Sequence, residues 1–213
     1  MPTIDTAQTW YDNSDPVHGF DHVLRVYRLA EKIALAEGAD VEIVRAAALL
    51  HDAEGSATMG GDEGRLEHHQ ASAEFARQIL QAEGWQEERI AQVEHCIRAH
   101  RFRDESEQPQ TLEAKVLFDS DKLDVIGAIG IARTIAFDVV VGQPIYAEPS
   151  EQFLQTGQKI DGEAHSSYHE YLFKLRKIKD RLHTATARAL AEDRHRFLEE
   201  FFTRLPAEIQ GDI

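Results

Sequence analysis

Cysteine is nearly missing from this chain: one residue, Cys96, in 213. An internal disulfide is therefore excluded, and the sequence suits a reducing compartment. Apolar runs are short, and none reaches the roughly 20 residues of a membrane-crossing helix. The opening "MPTIDTAQTWYDNSDP" has no basic start and no apolar stretch. No signal peptide is read there, no membrane partner is expected, and a cytoplasmic location follows. Positive charge is also scarce, with 23 Lys and Arg against 38 Asp and Glu, a formal net charge of −15. That surplus repels DNA and RNA in bulk and excludes a nucleic-acid scaffold. It leaves room for a small anion held by a few local cations or a metal. Strand-like alternation and repeats of 20–50 residues are absent.

What is present is helical periodicity and histidine, eleven of them. The spacing predicts helices over 20–37, from Asp40 to about Asp52, over 68–83 and over 86–100. Residues 111–141 read as one broken helix or two, 142–164 as a loop or flap, and 166–204 as two helices. The expected class is all-α, in one domain spanning 1–213, with a core at about 18–141 and the C-terminal helices as an addition.

Three polar residues interrupt apolar stripes. His22 shares a helix face with Val26, Leu29 and Ile33; His51 follows Val44, Ala47 and Ala48. Asp121 has Leu117 four before it and Val125 four after. A lone histidine on an apolar face is usually a hydrogen-bonded core residue. A buried carboxylate is harder to account for, because it is costly without a partner. A shared divalent cation satisfies neutral imidazoles and carboxylates together. In "LLHDAEG", the negative end of the helix dipole suits His51 but disfavours Asp52. In "IAQVEHCIRAHRF", His100 continues the stripe of Ile90, Val93 and Ile97, and His95 is expected to face water. Periodicity barely separates His68 from His69. His18 has i,i+4 spacing to His22 but falls at or before the first turn.

His22, then His51-Asp52, then Asp121, on separate helices, resembles the H…HD…D signature of the HD-domain metal-dependent phosphohydrolases. The resemblance extends to "GFDHVLRVYRLA", "AALLHDAEG", "IRAHRF", "LFDSDKLDVIGAIGIARTIAF" and the C-terminal "LFKLRKIKDRLHTATARALAEDRHRFLEEF". Together these are similar to a small, stand-alone bacterial subgroup, over nearly the whole chain.

The resemblance implies that His22, His51, Asp52 and Asp121 hold a divalent metal, Mn²⁺ or Mg²⁺ first, with Fe, Co, Ni and Zn also compatible with such donors. Asp121 is preferred to Asp119 on the "D-x-D-K-L" pattern. His68 and His100 match positions near substrate phosphate or a second metal. Asp52 and His68 are expected in catalysis, as water-orienting group and proton donor. Arg25, His68, His100 and Lys122 are expected to bind substrate.

The resemblance implies a small phosphorylated substrate, a nucleotide first, with nucleoside-triphosphate pyrophosphohydrolysis among the activities of similar proteins. Alarmone hydrolases carry acids three and four residues after the HD aspartate, where this chain has Gly55 and Ser56. No "GYP" follows the second histidine region, which disfavours cyclic-di-GMP. The alternatives are a catalytically silent metal- or nucleotide-binding helical domain, and a di-iron oxygenase on an HD scaffold. A monomer or homodimer is compatible with the sequence.

Overall fold

Asp40 starts the helix around which the first part of the chain is built. Its carboxylate accepts the backbone N–H groups of Glu42 and Ile43 at 3.0 and 3.2 Å, capping the helix start. The capped helix is α3, Val41–Leu50, preceded by α1, Ile4–Gln8, and α2, Phe20–Glu37. Gly38 ends α2 in a left-handed conformation, with φ 78°. Ile43, Val44 and every residue from Ala46 to Leu50 are fully buried. Only Val41, Glu42 and Arg45 of α3 reach the surface, so most of this helix belongs in the interior, and α3 contacts α1 and α2.

The computed structural model describes residues 1–11, 19–54, 68–101 and 107–213, the side chain of His68 excepted. Among them no strand occurs, and the protein is all-α with additional C-terminal helices. Two further helices pack on α3 and on each other: α4, His68–Ala82, and α5, Glu87–Ala99. Arg77 of α4 donates from Nε to Glu94 of α5 at 2.9 Å, a charge-assisted tie across that pair. The region read as one broken helix is two, α6, Leu112–Leu123, and α7, Gly127–Val140.

The chain forms two compact units. The first holds Met1–Lys122 and Leu182–Ala187, the second Leu123–Arg181 and Arg188–Ile213. In the second, the stretch read as a loop carries a short helix, α8, Glu151–Thr156. Glu163 pins it, accepting from Ser150 N at 2.8 Å, Ser150 Oγ at 2.7 Å and Ile160 N at 2.9 Å. After α9, Ser167–Phe173, come two 3₁₀ turns and then α10, Ala185–Gln210. Residues 174–184 thus break what reads as a simple helix pair. Gly130 is required by packing: a Cβ there would lie 2.2 Å from the Val125 carbonyl oxygen.

Candidate metal centre

A helix leaves its last carbonyls without intrahelical partners. At the end of α3, His51 Nδ1 bonds the Ala48 carbonyl at 2.9 Å. That bond places the ring proton on Nδ1 and the lone pair on Nε2. The imidazole is fully buried, and its Nε2 has no hydrogen-bond partner. Burial pushes its pKa down to about 4, with His100 and His22 adding to the effect against Asp52 and Asp121. The ring is therefore neutral at pH 7, which is the form that ligates metals.

His22, from the first turn of α2, meets this ring edge-on with centroids 5.5 Å apart. His100, just past α5, meets its other side at 5.2 Å. Asp52 lies among the three. Its Oδ2 is 3.5 Å from His51 Nε2 and 3.9 Å from His22 Nε2, and its Oδ1 is 3.5 Å from His100 Nε2. Asp121, from α6, brings Oδ1 to 3.4 Å from His22 Nε2. One ligand atom each of His22, His51 and Asp52 lie within 4.8 Å of one another. A buried, neutral imidazole with an unused lone pair, beside a second histidine and two carboxylates, fits a divalent cation.

Burial would raise the Asp121 carboxyl, but the Lys122 ammonium and the His22 and His100 imidazoles outweigh it and hold it well below the usual carboxylate range. Lys122 is itself nearly buried and donates to Asp121 Oδ2 at 2.5 Å. One cation thus stands beside the donor cluster.

The structure brings together His22, His51, Asp52, Asp121, His100 and Lys122. Arg25 is ion-paired with Asp21, one turn before it, at 2.7 Å. The His68 side chain, His18, and the Gly55-Ser56 positions lie outside the described residues. His95 differs from expectation. It bonds Glu107 at 2.8 Å and accepts the Gln110 N–H at 3.1 Å, so it serves the turn after α5 rather than water. Its partners stand 12 and 15 residues on, beyond the reach of helical periodicity.

Asp119 points elsewhere: its carboxylate accepts His183 N at 2.9 Å and Thr184 N and Oγ1 at 2.7 Å each. Tyr11 was invisible to the sequence argument, an aromatic in the polar run "TWYDNSDP". Its hydroxyl donates to the Leu49 carbonyl at 2.9 Å, next to the turn that carries His51 and Asp52.

A family model described as "HD domain" matches residues 19–126, which hold every residue of this cluster. The chain belongs to the HD-domain family. It is 34% identical to the uncharacterized protein YpgQ of Bacillus subtilis over 218 residues, covering 99% of this chain and 96% of that one. A crystal structure of YpgQ in complex with ADP superimposes with a TM-score of 0.72, at 32% identity, over 98% of this chain and 99% of the other. An HD-superfamily hydrolase from Bacillus thuringiensis gives a TM-score of 0.69 at 28% identity, over 97% and 96% of the two chains. A Lactobacillus plantarum protein gives 0.76 at 29% identity, over 99% and 100%. No helix among the described residues is long and apolar enough to cross a membrane.

Proposed function

We propose that this HD domain is a metal-dependent phosphohydrolase acting on a nucleotide, with hydrolysis of nucleoside triphosphates to pyrophosphate as the first activity to seek. The observation that carries the reading is the buried His51 Nε2, without a hydrogen-bond partner, among His22, Asp52 and Asp121. His22, His51, Asp52 and Asp121 are the ligands we assign to a divalent ion, Mn²⁺ or Mg²⁺ first. When bound, such an ion supplies Lewis acidity toward a phosphoryl oxygen and makes hydroxide accessible at neutral pH.

The chain's own residues supply the rest. The Ala48 carbonyl orients His51 through Nδ1. Asp52 offers one carboxylate oxygen to His22 and His51 and the other to His100, so it can order a water between the histidines. Lys122 places a positive charge beside the cluster, in a chain of −15 net charge, and can clamp a phosphate there. His68 is assigned the phosphate contact and the proton to the leaving group on family resemblance, and His100 and Arg25 a supporting contact with substrate. His68 and His100 are also the residues we assign to any second metal. The relative YpgQ crystallised with ADP, which favours a nucleotide over other phosphate esters.

The test is direct. Metal-free protein is loaded with Mn²⁺, Mg²⁺, Co²⁺ or Fe²⁺ and given nucleoside tri-, di- and monophosphates. Pyrophosphate release supports the proposal. Orthophosphate alone shifts it to a phosphatase, and no turnover with any metal rejects it.

A further inference from the structure

Tyr11 stands outside the stretch that matches the family, 19–126, yet its hydroxyl enters the turn that carries two of the assigned ligands. The side chain is 5% exposed. Its ring packs on Phe20, centroids 5.5 Å apart, in a cluster with Ala7, Val23, Leu49 and Ala53. A phenylalanine would fill that space without the cost of burying a hydroxyl. The hydroxyl is used instead: it donates to the Leu49 carbonyl at 2.9 Å.

The consequence follows from helix hydrogen bonding. In a continuing α-helix the Asp52 N–H would bond the Ala48 carbonyl, and the Ala53 N–H the Leu49 carbonyl. Here Ala53 N turns to Leu50 O at 3.3 Å, and the Ala48 carbonyl is taken by His51 Nδ1. The phenol hydroxyl occupies the Leu49 carbonyl, the group that the Ala53 N–H would take if α3 ran on. With that carbonyl taken, α3 stops at Leu50 and Ala48 O is left to the imidazole.

We propose that Tyr11 is a positioning residue for the metal centre, holding the last turn of α3 so that His51 and Asp52 present their ligand atoms together. The inference rests on reading that cluster as a metal centre. Without the hydroxyl, the Leu49 carbonyl is open to the Ala53 N–H, α3 can run on, and the Asp52 N–H then competes with His51 for Ala48 O.

The test uses Tyr11→Phe, which keeps the ring, beside Trp10→Leu, which disturbs the same apolar neighbourhood through the Trp10–Phe75 contact and leaves the hydroxyl in place. In the metal-free chain, Tyr11→Phe should change amide exchange at Asp52 and Ala53 about tenfold or more, as the last turn of α3 rearranges. It should also shift the His51 imidazole ¹⁵N resonances. Mn²⁺ affinity, read from the spin resonance of the free ion, should fall about 10- to 100-fold, as for other groups that orient metal ligands. Trp10→Leu should lower the thermal midpoint and keep Mn²⁺ affinity.

Tyr11→Phe with parental Asp52 exchange and parental Mn²⁺ affinity overturns the proposal. So does Trp10→Leu weakening Mn²⁺ binding as much as Tyr11→Phe. If the parent chain binds no divalent ion, the reading under Proposed function fails. The exchange and ¹⁵N measurements then still decide whether Tyr11 sets the turn.

Discussion

Asp119 accepts both the backbone N–H and the hydroxyl of Thr184 at 2.7 Å, so this buried carboxylate fastens the start of α10. Two residues on, Asp121 turns to His22 at 3.4 Å. The two acids of one "DSD" run therefore have separable jobs. Asp119→Asn puts an amide donor against backbone donors and should cost about 1–3 kcal/mol of stability, with metal content unchanged. Asp121→Asn should lose metal. Calorimetry and metal analysis on the two variants check the pair; equal metal loss in both would contradict the division.

Gly130 should tolerate no side chain. Because its Cβ would fall 2.2 Å from Val125 O, a backbone atom, Gly130→Ala should destabilise the protein by about 1–3 kcal/mol despite the better helix propensity of alanine. Urea unfolding measures it, and an unchanged midpoint would show that Val125 can move aside.

Glu163 gives a pH signature. Hydrogen bonds from Ser150, Ile160 and His169 hold its carboxyl at about 2, against an ordinary 4.5. A depressed folded pKa stabilises above the unfolded value and is lost as pH falls toward the folded one. The thermal midpoint of Glu163→Gln should therefore lie below the parent's at pH 6, and the gap should close between about pH 4.5 and pH 2. A gap that stays constant over that range would refute the role.

Cys96 should behave as an inert core residue. It is fully buried, and burial pushes its thiol pKa up. Iodoacetamide should leave the folded chain unmodified at pH 8 and alkylate it in urea, as mass spectrometry will read.

Apolar periodicity made α2, α3, α4 and α5 legible almost to their ends, and it placed His22, His51, His100 and Asp121 on inward faces. It could not choose between Asp119 and Asp121: both carboxylates lie on the same helix, and Asp119 is satisfied by residues 64 and 65 positions later. The family pattern supplied that choice. Tyr11 was unreadable for the same reason, since its partner Leu49 is 38 residues away. Local spacing shows which side of a helix faces inward; it does not show which distant backbone group waits there.

The enclosure of α3 has a bearing on how such proteins diversify. Seven of its ten residues are buried, so nearly every substitution along it disturbs packing before it can alter chemistry. Variation in what is bound must then come from segments that surround the histidine-aspartate pair, while the pair itself rides on the part of the chain least free to drift.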